Sequence, residues 1–255
     1  MGAAFTAIDA FGRLETVGRN KLVEPIRGYE PTLEGADITI LCSIGAQPPK
    51  AEAAGQENFV FAGFGSKCGS ANVRIKGSRN VVFFGPYCAP GISKIQITGD
   101  NCLFYFGAFS TCVDQTVILG GESGTISFGD DCMLSARVIA SNQDGHGIFD
   151  LSTGLLINEN RDIHIADHVW VGRSVILAKG CAVGRDTVVG QGSLVVKSHA
   201  DENVVLVGSP AAVKRTGVTW SRWKLPSLDA IAASSRQAGR DRQVAELRRR
   251  IDDLS

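Results

Sequence analysis

The sequence predicts a mainly β chain wound into a left-handed parallel β-helix, with an N-terminal cap and a C-terminal α-helix. Three observations carry this expectation. A six-residue repeat runs from Ile165, and a 22-residue repeat of glycine and apolar residues runs upstream from Gly55 to Gly129. The two series are joined by 37 residues from Phe128 to Ile165, one plain coil of 18 plus a surplus of 19. Fixed periods of this kind mark stacked units that bury a shared core.

Residues 1–50 lack the repeat and contain one clear strand candidate, Asp37 to Leu41. They are expected to cap the open end of the first coil. From there, Gly55, Gly77, Gly99 and Gly121 lie 22 apart, as do Gly63, Gly85, Gly107 and Gly129. Val60-Phe61-Ala62-Gly63 aligns with Val82-Phe83-Phe84-Gly85, then Phe104-Tyr105-Phe106-Gly107 and Ile126-Ser127-Phe128-Gly129. Each unit reads as one 18-residue coil with four extra residues at a corner. Narrow interior positions fall on Ser66, Cys88, Ser110 and Cys132. The surplus after this series is expected to loop out near 144–162, and a loop of that size on a regular stack is usually functional or disordered.

Downstream the hexads are IADHVW, VGRSVI, LAKGCA, VGRDTV, VGQGSL and VVKSHA. Their first residues, Ile165, Val171, Leu177, Val183, Val189 and Val195, are all aliphatic. Their second residues, Ala166, Gly172, Ala178, Gly184, Gly190 and Val196, are small in five of six. Their fifth residues, Val169, Val175, Cys181, Thr187, Ser193 and His199, are small or β-branched until the last. Three hexads make a triangular turn. The aliphatic residue points inward, the next rounds a corner where a Cβ is crowded, and the fifth shares the narrow interior. An α-helix is excluded because a period of six lets the apolar residues drift around all its faces. After Pro210 the repeat stops, and residues 227–254 read as helix, with Val244, Leu247, Ile251 and Leu254 on one stripe.

Composition removes several function classes. The 26 basic and 26 acidic residues balance, so the total implies no nucleic-acid partner. The start has no apolar core of signal-peptide type, and no apolar run is long enough for a transmembrane segment. The seven cysteines are odd in number, scattered and without a CxxC, which favours narrow core positions in a reducing, cytoplasmic setting over disulfides or a zinc knuckle.

The stretch Ser141 to Gly172, SNQDGHGIFDLSTGLLINENRDIHIADHVWVG, resembles the signature of hexapeptide-repeat O-acetyltransferases, especially those that modify bacterial capsule, sialic-acid and lipopolysaccharide sugars. The matching features are Asp144-x-His146, Ile148, Asp150, Thr153-Gly154, Ile157-Asn158, Asp162-Ile163 and His168 to Gly172. Val189 to Ser193, Lys197, Gly208 to Ala211 and Lys214-Arg215 follow. The detailed match covers about Ser141 to Arg215; the upstream coils agree in architecture alone.

The resemblance implies residues 51–215 as the acyltransferase domain, followed by a linker and helix over 216–255. It implies acetyl-CoA as donor, a sugar or glycan hydroxyl as acceptor, and a homotrimer whose sites lie between neighbouring prisms in the bacterial cytoplasm. His146 occupies the position of the family's general base. Neutral imidazole suits that task, because a sugar hydroxyl barely ionises at neutral pH. Asp144 is expected at the catalytic site, although it and Asp150 are each compatible with a turn role. Trp170 alternates with inward neighbours, should point outward, and matches the tryptophan beside the acetyl donor. Gly172, Arg173, Ala178, Gln191, Lys197, Lys214 and Arg215 match positions along the coenzyme A arm, with the basic residues suited to its phosphates. Arg173 and Val196 depart from the family's usual small and hydroxyl residues. Carbonic anhydrases of this fold bind zinc through histidines, but the spacing of His164 and His168 differs from theirs by one residue, so no metal is expected. Two other readings stay open: transfer to an antibiotic or other small alcohol, and a non-catalytic β-helix scaffold.

Overall fold

The computed structural model describes residues 5–8, 14–17, 29–34, 37–43, 45–234, 236, 239–243, 245 and 249. Residues 28–219 form one compact unit; residues 1–27 and 220–255 belong to another. The larger unit is a left-handed parallel β-solenoid of about seven turns. Its three faces are an eight-stranded, a six-stranded and a seven-stranded sheet. The chain visits them in that order in each coil: Thr125–Phe128, Met133–Leu134 and Val138–Ser141, then Ile163–Ile165, Trp170–Val171 and Ile176–Ala178.

The strand register reproduces the sequence periods. On the eight-stranded face Val81 lies opposite Leu103 and Leu103 opposite Thr125, steps of 22. Ile126 lies opposite Ile163, a step of 37, and Ile165 opposite Val183, a step of 18. The six aliphatic hexad leaders are all buried, and so are Ser66, Cys88, Ser110 and Cys132. His199, the one bulky fifth-position residue, is buried as well. Upstream the interior holds aromatics. Phe104 meets Phe84 and Phe128 edge-on at 6.1 and 6.3 Å, contacts worth about 0.5–1.5 kcal/mol each beyond their area.

The upstream glycine column has a steric cause. Gly77 sits at φ +134°, and a Cβ there would lie 2.0 Å from the carbonyl oxygen of Gly99 in the next coil. Beside it the corner is held by a polar ladder. Asn80 Nδ2 donates to Asn58 Oδ1 at 3.0 Å, and the Cys102 amide donates to Asn80 Oδ1 at 2.9 Å. These bonds satisfy polar groups that would otherwise be buried without partners.

The two ends of the stack are built differently from its middle. The strand anticipated in the cap, Ile38–Ser43, pairs in parallel with Asn58–Ala62, and Tyr29–Glu34 pairs antiparallel to it. The solenoid's sheet therefore begins before residue 51. Ile38 and Ile40 already fill the interior, although no upstream copy reveals the period. At the other end Val204–Gly208 continues the six-stranded face and Ala211–Thr216 folds back antiparallel on it, which ends the parallel stacking.

In the smaller unit, Phe5–Ile8 pairs antiparallel with Leu14–Val17. A short helix, Leu228–Ala232, begins at Ser227, whose hydroxyl accepts from the Ala230 amide as an N-cap. The anticipated stripe of Val244, Leu247, Ile251 and Leu254 lies outside the described residues. Among the described residues no helix is long and apolar enough to cross a membrane.

Candidate active site

The surplus residues leave the stack at the corner after Val138–Ser141 and return at Ile163. Both feet are tied to one buried residue. Asn142 donates to the Gly120 carbonyl and accepts from the Gly120 amide at 2.9 and 2.8 Å, and its own carbonyl accepts from the Arg161 amide. The arm itself is a small hairpin. The Ile157 amide donates to the Ile148 carbonyl and the Asp150 amide to the Leu155 carbonyl, both at 2.9 Å. Asp150 makes its turn: Oδ1 accepts from the amides of Ser152 and Thr153 at 2.8 Å and from the Ser152 hydroxyl at 2.5 Å. These bonds, the Ser152 hydroxyl foremost, pull the Asp150 carboxyl down to about 2. Asp150 is thus the turn-forming aspartate.

Asp144 has a different role. Its Oδ2 accepts from the Lys179 ammonium and from Asn158 Nδ2 at 2.9 Å. Lys179 foremost, then Asn158, holds the Asp144 carboxyl below its ordinary value. Lys179 also donates to the Asn158 carbonyl at 2.9 Å, while Asn158 donates to the His146 carbonyl at 2.8 Å and accepts from the Ile148 amide at 2.7 Å. Together the three residues clamp the backbone on both sides of His146. Asp144 makes no hydrogen bond to the His146 ring among the described residues, and its Oδ2 is engaged by Lys179 and Asn158. The His146 ring is exposed and makes no hydrogen bond among the described residues. It lines a cavity of about 330 Å³ with Gly121, Glu122, Asp144, Leu156 and Asn158.

The remaining expected residues divide by corner. Ala178 ends its strand on the seven-stranded face, and the exposed Lys197 stands one 18-residue coil beyond Lys179. These two share the corner with His146 and Asp144. Trp170 lies on the six-stranded face between Met133 and Val188, side chain outward and 38% exposed. Gly172 turns the following corner. A Cβ there would stand 2.7 Å from the Gln191 amide nitrogen and 2.8 Å from the Val189 oxygen, so the close coil approach requires glycine. Arg173 and Gln191 are exposed at that same corner, and the Gly192 amide donates to the Arg173 carbonyl at 2.8 Å. Lys214 and Arg215 are exposed on the returning edge strand of the six-stranded face. The seven-stranded face therefore separates His146 from Trp170 within a single chain. Arg173, Lys197, Lys214 and Arg215 have no ion-pair partner among the described residues.

The other histidines face different partners. His164 Nδ1 lies 3.0 Å from the Ser127 hydroxyl on the eight-stranded face, and His168 Nδ1 lies 2.8 Å from Asp186 Oδ1 at the next corner. Among the described residues no group of three or more His, Cys, Asp or Glu side chains is placed to hold a metal ion. All seven cysteines are buried free thiols.

Sequence reasoning assigned no role to Lys179, and quoted Asn158 only as part of a motif. The available signal was a lysine at a corner, 18 residues before Lys197 and one coil beyond the departing loop.

No family model matches the chain. It is similar to the polysialic acid O-acetyltransferase of Neisseria meningitidis, 33% identical over 49% of this chain and 58% of that one. The alignment thus spans little more than half the relative's length. Among solved structures it is similar to the polysialic-acid-specific acetyltransferase NeuO, with a TM-score of 0.67 and 26% identity over 82% of this chain and 88% of that one. It is likewise similar to the polysialic acid O-acetyltransferase OatWY, with a TM-score of 0.56 and 25% identity over 73% of this chain and 98% of that one.

Proposed function

We propose that this chain is an acetyl-CoA-dependent O-acetyltransferase acting on a hydroxyl of a sugar or glycan, with His146 as general base. The observation that carries the reading is the clamp of Asp144, Asn158 and Lys179. It fixes the backbone beside an exposed imidazole that makes no hydrogen bond among the described residues, on a residue that lines a cavity. A base held in this way is ready for a substrate proton. The similarity to sugar O-acetyltransferases supplies the reaction class.

The acceptor oxygen attacks the thioester carbonyl as His146 takes its proton. The carbon–sulfur bond then breaks, and the imidazolium returns the proton to the departing thiolate. No acyl-enzyme is needed, and holding both reactants in one groove contributes several kcal/mol of the barrier reduction, about 7–11 kcal/mol at best. Donor binding falls to Trp170, Gly172, Arg173, Gln191, Ala178, Lys197, Lys214 and Arg215. The four cations among them have no ion-pair partner among the described residues and suit the phosphates of coenzyme A. Because one chain keeps His146 and Trp170 on different corners, a groove containing both takes a neighbouring copy, and a homotrimer supplies three such grooves. The cytoplasm, where acetyl-CoA is made, is the proposed location.

His146→Ala is expected to lower kcat by about a hundredfold to ten-thousandfold while thermal stability stays within about 0.5 kcal/mol of the parent. Thioester consumption with nucleotide-sugars and oligosaccharides measures this. Transfer at the parental rate would rule the mechanism out.

A further inference from the structure

We propose that the outer surface of the seven-stranded face is a subsite for an anionic glycan, which holds the charged portion of the acceptor away from the reacting hydroxyl. This deepens the acceptor reading above and rests on it. Four cations stand on outward positions of three successive strands: Lys50, Arg74, Lys76 and Lys94, all exposed. Two carboxylates lie on the same strands: Glu52, whose Oε1 lies 2.6 Å from Arg74 Nε, and Asp100 at the end of the third strand, whose Oδ2 lies 3.3 Å from Arg79 Nη2. Lys50, Lys76 and Lys94 have no ion-pair partner among the described residues. In a chain with 26 charges of each sign, this is a local excess and not a reflection of a basic protein.

The cations border a depression. Asn72, Arg74, Lys94, Ile95 and Gln96 line a cavity of about 290 Å³, with Asn72 opposite Lys94 and Arg74 opposite Gln96 across the two strands. Two ammonium or guanidinium groups with two carboxamides suit a carboxylate or phosphate set among hydroxyls. The strand carrying Lys94 and Gln96, Ile92–Asp100, pairs directly with Asp114–Glu122, whose last residues line the His146 cavity. The two cavities thus open on neighbouring strands at different heights: Gln96 lies opposite Ile118, and Gly121 and Glu122 stand three and four residues further along, roughly 10–13 Å at the rise of a β-strand, a span that an extended sugar chain can bridge.

Charge divides the two ends. The His146 cavity is lined by Glu122, Glu159 and Asp144, the last paired with Lys179. Carboxylates accept hydrogen bonds from sugar hydroxyls but repel an acidic sugar's own charge. An acidic acceptor would therefore place a hydroxyl at the loop and its anionic groups over Arg74 and Lys94.

The test is binding by fluorescence anisotropy with the full chain and no acetyl-CoA, so that its result is independent of the chemistry. The labelled probes are a sialic acid hexamer, maltohexaose and poly-L-glutamate. The parent should prefer the sialic acid hexamer. The double variant Arg74→Gln/Lys94→Gln should weaken that binding about tenfold, with little change for maltohexaose, and added salt should erode the difference. Equal affinity for maltohexaose, an unchanged affinity in the double variant, or equally tight binding of poly-L-glutamate would each overturn the subsite. Failure of the His146 mechanism would show instead as transfer surviving in His146→Ala, with the binding pattern intact.

Discussion

The coils and the arm that leaves them are built on opposite rules. In the coils every position has an equivalent one turn away. Val82, Phe104 and Ile126 occupy one column, all fully buried, and each is supported by its neighbours in the stack. The arm has no equivalent anywhere. Ile148, Phe149, Leu151, Leu155, Leu156 and Ile157 are all exposed, and its position depends on Asn142 at the feet and Lys179 beside His146. Repetition yields rigidity, whereas the departure from it yields a cavity and an unengaged imidazole. Exposed apolar surface on this scale also needs a cover, in keeping with the neighbouring copy invoked for the proposed groove.

Three measurements would break or sharpen this contrast. The largest stability effect is expected in the coils. Gly77→Ala forces a Cβ against the Gly99 carbonyl at a φ that side chains rarely adopt, and should lower unfolding free energy by about 3 kcal/mol. Chemical denaturation measures it, and a change below about 1 kcal/mol would mean that the stack relaxes far more easily than its register suggests. Lys179→Met should do the reverse, leaving unfolding within about 1 kcal/mol of the parent because one partly exposed ion pair is lost. The arm should then become the first site of limited proteolysis, and kcat should fall about tenfold with KM for acetyl-CoA unchanged. Partial recovery in Lys179→Arg would identify the effect as positioning. The smallest effect is expected at Asp150. Its folded pKa lies below the unfolded value of about 3.9, so its contribution is complete above that pH and fades as pH falls toward about 2. The amide resonances of Ser152 and Thr153 should shift across that window and stay still in Asp150→Asn. A titration centred above pH 5 would assign the turn to another group.

Much of the stack was legible from periodicity, because 22, 37 and 18 are at once sequence intervals and strand registers. Legibility failed where no repeat exists. Ile38 and Ile40 belong to a coil, yet the chain before them offers no copy to align, and so they were assigned to the cap. At the site, the placement of His146 on an irregular arm followed from counting residues. The bond from Lys179 to Asp144 did not, since a contact between a loop and the next coil leaves no trace in a period. The same applies to the division of His146 and Trp170 between corners. They lie only 24 residues apart in sequence, but the chain passes from the seven-stranded to the eight-stranded to the six-stranded face between them.

The narrow interior has a consequence for chemistry that involves an activated acyl group. Sulfhydryls are natural competitors for such groups, and a chain with seven of them invites self-acylation. Here all seven are buried. Burial pushes Cys132 and Cys181 up to about 12, and although a bond with Cys88 draws Cys68 the other way, that sulfur too is wholly enclosed. Only thiolates with access intercept acyl donors, so in the proposed acyl transfer the packing that buries these sulfurs would also keep the protein from becoming its own substrate.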